Sequence, residues 1–243
     1  MGKQKKNQVL LPLSDSILAD MYHFLLIPPE VDTFIKFDNP REQKDYCQRI
    51  LQRLNVRVND YSVLNIHKIG INVPGKYVFE ELLTWDNNSI YWPNNLARVK
   101  RIDGTLNRVQ IYLFGFEKIF AIKSLNIKGL PLPKLFRLEK RQFNITPHTS
   151  DLDNARSLLY DCEGGYPIGI LSLYVRSSIH AQNEKEITQL FFITAFDFFG
   201  LKKNLGTELI KKIWEKIHNR VTSNVLNRIK LICETKFDTI SAF

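Results

Sequence analysis

The sequence predicts an α+β fold in which an antiparallel sheet packs against one long C-terminal helix. Between Tyr61 and Phe198, runs rich in Val, Ile, Phe and Tyr alternate with Gly, Pro, Asn and Asp breaks, as successive strands do. Sixteen Phe stand against two Met, a bias toward side chains that suit pleated, half-buried surfaces. From Asn204 to about Cys233, apolar residues return at helical spacing over roughly 30 residues, long enough at about 1.5 Å per residue to cross a domain.

Residues 1–60 form a helical extension in this reading, and residues 61–243 the main domain. In the extension, REQKDYCQRILQRL places Tyr46, Ile50, Leu51 and Leu54 on one helical face that must pack on something. In SVLNIHKIGINV, Val63, Ile69, Ile71 and Val73 share one face by period two, and Leu64 and Ile66 the other. Pro74 ends that strand and opens a short helix with Tyr77, Val78, Leu82 and Trp85 recurring. ARVKRID and NRVQIYLF then read as a hairpin about Asp103-Gly104. A strand is expected in KLFRLEKRQFNI, then two more, ARSLLYDC and IGILSLYVRSSI, around the turn EGGYP. EITQLFFITAFDFF is apolar on both strand faces, which requires cover on both sides of the sheet.

Hydrophobic residues at 44% and charged residues at 24% are globular values. The longest apolar stretch, Leu190 to Phe198, is interrupted by Thr194 and Asp197 and falls short of the roughly 18 residues a membrane span needs. The start, MGKQKKN, has Lys6 where a myristoylation signal needs Ser or Thr, and no signal-peptide core follows. Cys47, Cys162 and Cys233 are too few and too widely spaced for a disulfide framework or a zinc pair, which suits a reducing, cytoplasmic location. The net charge of +9 is concentrated toward the C-terminus, where Leu201 to Cys233 carries eight Lys or Arg against two Glu.

The order of strand, short helix, Trp-containing loop, antiparallel strands and long final helix resembles the START-like (SRPBCC) superfamily of helix-grip proteins. The resemblance rests on HKIGINVPGKYVFEELLTW (His67 to Trp85), the Tyr91-Trp92-Pro93 loop and the final helix GTELIKKIWEKIHNRVTSNVLNRIKLICE. It covers about Tyr61 to Glu234 as a layout. The superfamily includes polyketide cyclases, aromatases and lipid-transfer domains. The resemblance implies a curved antiparallel sheet gripping the long helix, with a cavity for a hydrophobic molecule between them. It carries no shared catalytic set, so it speaks to fold more than to function.

No nucleotide-binding loop, GxSxG, HExxH or spaced Cys/His set occurs, so no catalytic residue, metal site or cofactor is assigned. The ligand-contact candidates are His67, Trp92, Tyr112, Tyr160, Tyr174, Trp214, Asn224 and Arg228. For His67 the primary reading is a hydrogen-bonded structural histidine. Asn224 and Arg228 interrupt the apolar face that Leu209, Ile210, Ile213, Trp214, Ile217, Val221, Val225 and Ile229 form on the last helix, and a buried guanidinium needs a partner. Either that partner is a ligand head group, or Arg228 pairs with a strand carboxylate such as Asp161 or Asp197 or snorkels to solvent. The aromatic candidates combine apolar area with polar tips and serve equally as ordinary core.

Lysines on the opposite face of that helix (Lys212, Lys216, Lys230) form either a solvated face or a contact for an anionic membrane surface. They are not interleaved with the aromatic platforms of a nucleic-acid binder. The expected function is therefore binding or transport of a lipid- or polyketide-like molecule. A cyclase or dehydratase and an interaction module with a filled cavity are the alternatives.

Overall fold

In the computed structural model the described residues are 28–54, 61, 63–84, 97–101, 104–105, 108–113, 137–144, 156–163, 168–179, 186–197 and 205–241. They form an α+β structure built on one seven-stranded sheet. The strands are β1 (Val63–Ile71), β2 (Ala97–Arg101), β3 (Arg108–Leu113), β4 (Arg137–Asn144), β5 (Arg156–Glu163), β6 (Ile168–Ile179) and β7 (Glu186–Asp197). The sheet order is β1-β7-β6-β5-β4-β3-β2, with every neighbouring pair antiparallel. The first strand therefore lies beside the last. Gly104, in the β2–β3 connection, takes φ 77°, a left-handed conformation that glycine adopts without steric cost.

The helices are α1 (Pro40–Leu51), continued by a 3-10 turn at Gln52–Leu54, α2 (Gly75–Leu83) and α3 (Leu205–Ser241). Local chemistry explains the first two starts. Asn39, in extended backbone, accepts the Glu42 N–H at 2.8 Å, and Pro40 occupies the first turn, where its missing N–H costs nothing. Pro74 caps α2, and the Gly75 N–H donates to Ser177 Oγ and to Glu186 Oε1, each at 3.1 Å. Both strands of the β6–β7 hairpin, at its turn end, thereby fix the start of α2.

The two apolar parities of β7 go to two cores, as its sequence requires. Leu190 and Phe192 join Ile69, Leu173, Val78, Phe79, Leu82, Leu226 and Ile229, beneath α2 and α3. Phe191, Ile193 and Ala195 join Ile66, Ile170 and Tyr174, beneath Cys47, Ile50, Leu51 and Leu54 of α1 and its 3-10 turn. The part of the extension that is described thus belongs to the same unit as the sheet, on the face opposite the long helix. Residues 33–35 also run along the outer edge of β1, through Lys68 N–H to Thr33 O (2.8 Å), Ile35 N–H to Ile66 O (3.0 Å) and a bridge between Phe34 and His67.

The structure corrects several expectations. The final helix runs eight residues past Cys233, because Phe237 continues the inward spacing and packs on Tyr77 with ring centroids 5.2 Å apart. Lys236 pairs with Glu81 at 2.8 Å, and the Asn72 N–H donates to Glu234 Oε1 at 3.0 Å, so this extra length is held at the exit of β1. Tyr77 is 40% exposed rather than core, and Phe79 takes the buried position. Ile213 and Ile217, assigned to the inner face of α3, are 54% and 37% exposed. The sheet-facing side of α3 is centred on Leu226, Ile229 and Cys233.

Candidate functional site

Where α3 crosses β1, short polar side chains fill the contact in place of apolar ones. Asn219, Ser223 and Asn227 recur every fourth residue, so they form one line along α3. Asn227 Nδ2 donates to Val31 O at 2.8 Å, and the Thr33 N–H donates to Ser223 Oγ at 3.2 Å. The edge segment 31–35 is strapped to the helix by this line. Beneath it lie His67, Asn65 and Thr33, all buried.

Complementary donors and acceptors fix the protonation pattern. Asn65 Nδ2 donates to Asn219 Oδ1 at 2.8 Å, so that oxygen is the acceptor facing His67 Nε2 at 3.2 Å. His67 is then neutral with its proton on Nε2, and its Nδ1 accepts from Thr33 Oγ1 at 2.9 Å. Thr33 Oγ1 in turn accepts from Ser223 Oγ at 3.0 Å, whose own acceptor site takes the Thr33 N–H. Every ring nitrogen and hydroxyl in this chain is used, so the His67 imidazole acts as a structural bridge between strand, strap and helix.

Burial lowers His67 from its ordinary 6.5 to about 4, an effect that its bond to Asn219 only partly offsets. His218, whose ring centroid is 5.7 Å from that of His67, is also held well below the usual imidazole range by desolvation and by its neighbour. A consequence for stability follows. Above pH 6.5 His67 is neutral whether the chain is folded or unfolded; as pH falls from 6.5 toward 4, only the unfolded chain takes the proton. Between pH 7 and pH 5 the fold is expected to lose about 2 kcal/mol through His67 alone. Urea midpoints across that range test this, and His67→Gln should flatten the slope.

A second feature lies one row along the sheet. Asn65, Thr194, Leu171 and Tyr160 are register partners across β1, β7, β6 and β5, and by strand parity they face the α3 side. Thr194 Oγ1 is buried and has no hydrogen-bond partner among the described residues. Burial pushes the Tyr160 phenol up to about 12, against the opposing effect of Arg101, so it stays protonated and able to donate. The row therefore offers an amide, an unused hydroxyl and a phenol on an otherwise apolar face.

The candidates read from sequence are only partly brought together. Tyr160 joins the row, and His67 lies two register pairs away on the same face, as the bridge described above. Tyr174 is corrected: on β6 it has the parity of Ile170, so it packs against the α1 layer, and its hydroxyl accepts from Arg53 at 3.4 Å. Asn224 and Arg228 are also corrected. Each lies two residues from fully buried Leu226, about 160° around the helix, and so points away from the sheet. Asn224 Nδ2 is closed off from solvent without a partner, and half-buried Arg228 makes no ion pair with Asp161 or Asp197 among the described residues. Trp92 lies outside the described residues, as do the side chains of Tyr112 in β3 and Trp214 in α3. Among the described residues no cluster of three or more metal-ligating side chains occurs, and no helix is long and apolar enough to cross a membrane.

Thr33, Asn65, Thr194, Asn219 and Ser223 were not singled out in the sequence. The Asn-x3-Ser-x3-Asn spacing was the one available signal for the helix line. No protein-family model and no curated protein matches the chain. Among solved structures it is similar to an Arthrobacter aurescens protein solved by NMR, at 14% identity over 74% of this chain and 90% of that one, with a TM-score of 0.36. A crystal structure of a Mycobacterium smegmatis protein is similar at 10% identity over 72% and 91% of the two chains, with a TM-score of 0.34.

Proposed function

We propose that this is a helix-grip protein that binds a hydrophobic small molecule, lipid- or polyketide-like, between the α3 side of the sheet and the long helix. The strand order supports the helix-grip reading: β1 and β7 are neighbours, a short helix follows β1, and the long helix follows β7 and crosses β1. The observation that carries the binding reading is the Thr194 hydroxyl, buried on that face without a partner and in register with Asn65. An unused buried hydroxyl costs on the order of 1–3 kcal/mol, and a ligand oxygen seated beside Thr194 would remove that cost. Tyr160 is the one titratable group of the row, which favours a carrier over a proton-transferring cyclase or dehydratase.

A specific observation supports a second reading, a filled core that serves as an interaction module. Buried apolar residues run continuously from Val109 on β3 to Val225 and Leu226 on α3. Native mass spectrometry of protein purified from its own cells separates the two, through a co-purifying apolar ligand or its reproducible absence. Thr194→Val sharpens the test. If the hydroxyl serves a ligand, the ligand-free variant is expected to gain on the order of 1 kcal/mol in urea unfolding while ligand occupancy falls. A variant less stable than the parent with unchanged occupancy overturns the assignment.

A further inference from the structure

The exposed isoleucines of α3 have neighbours that identify what could cover them. Ile213 and Ile217 are one turn apart, 54% and 37% exposed, and so form a short apolar line at the surface. Lys212 and Lys216, both exposed, form a parallel line about 100° around the helix. Glu215, the acidic residue in this stretch, lies about 160° from both isoleucines, on the opposite side. The patch is therefore apolar along one line and cationic along the next, with Glu215 on the far side of the helix.

We propose that this face of α3 docks on an anionic lipid surface. Charge and shape argue for that occupant. Two copies of the chain meeting through this face would bring four lysines together, while the chain as a whole carries +9. A nucleic acid would use the lysines and leave the isoleucines in water. At a bilayer interface both lines are satisfied, with the isoleucines reaching the acyl boundary and the lysine stems lying along the surface with their ammonium groups among lipid phosphates. The sequence suggested lysines facing a membrane; the two surface isoleucines turn a diffuse charge into an amphipathic patch. The docking does not depend on whether a ligand occupies the sheet face.

The test is co-sedimentation of the full chain with vesicles of phosphatidylcholine alone and of phosphatidylcholine containing about one-quarter phosphatidylserine. Binding is expected to the anionic vesicles, to weaken with added salt, and to fall roughly fivefold for each of Lys212→Ser and Lys216→Ser. Ile213→Ser with Ile217→Ser should lower it at least tenfold at unchanged salt dependence. Both isoleucines are surface residues, so these variants should keep the parent circular dichroism and urea midpoint. Equal sedimentation with neutral vesicles, indifference to the isoleucine pair, capture of a single-stranded RNA of matched charge in place of vesicles, or a dimer that dissociates on the isoleucine substitutions would each overturn the proposal.

Discussion

Replacing His67 with leucine is expected to destabilise the protein by about 3 kcal/mol, although leucine fills a similar volume in an already buried position. The loss comes from groups that His67 leaves behind. Thr33 Oγ1–H loses its acceptor, and Asn219 Oδ1 loses the His67 contact, keeping the Asn65 donor and the longer contact to His218 Nδ1 at 3.5 Å. Both sit where the strap, β1 and α3 meet, and Thr33 is buried there at 3% exposure. Adding Thr33→Val removes the stranded donor, and Ser223 can turn its hydroxyl to the carbonyl one turn back in its own helix. The double variant should therefore cost clearly less than the sum of the single ones, a coupling of about 1 kcal/mol or more. Urea unfolding near pH 7.5, where His67 is neutral in both states, gives the three values. Strict additivity, or a His67→Leu cost within about 0.5 kcal/mol of zero, would mean that the network does not hold the strap.

The same contact explains what was legible in the sequence. The limits of β6 and β7 follow from apolar runs bounded by turn residues, and the double cover of β7 follows from its two apolar parities. Which parity met which helix did not. Ile170, Leu171, Leu173 and Tyr174 read alike until α1 and α3 are placed on opposite faces, so the side that Tyr174 takes is not legible in the sequence. The inner face of α3 was misjudged because the apolar line of its first half, Ile213 and Ile217, is out of phase with that of its second, Leu226 and Ile229. A single broad face drawn through both lines takes in Asn224 and Arg228 as well. The polar bridge was hidden for a different reason. Thr33 and Ser223 are 190 residues apart, and neither residue is unusual in its own segment.

Gly169→Ala is expected to have the largest effect of the glycine-to-alanine changes among the described residues. Gly169 pairs with Phe196 across β6 and β7, and a Cβ there would overlap the Ala195 carbonyl oxygen and the Phe196 Cβ and Cα. Two of these three contacts are to backbone, so no rotamer change relieves them; β6 and β7 would have to part, breaking ladder hydrogen bonds beside the Thr194–Leu171 pair. A cost above about 3 kcal/mol is expected, with loss of soluble, cooperatively unfolding protein as the readout. Gly70→Ala is the matched control. It also lies in a strand of this sheet, but its Cβ would meet only the flexible Gln189 side chain, with Nε2 at 3.6 Å. A change within about 1 kcal/mol of the parent is expected there, with restriction of the unfolded chain tending to stabilise. Equal stability of the two variants would contradict the pairing of Gly169 with Phe196. The contrast bears on the binding reading too, because that pairing sets which residue of β6 stands beside Thr194. A one-residue slip would replace Leu171 by Ile170 or Ser172, bring the α1-facing parity to the α3 side and dismantle the row.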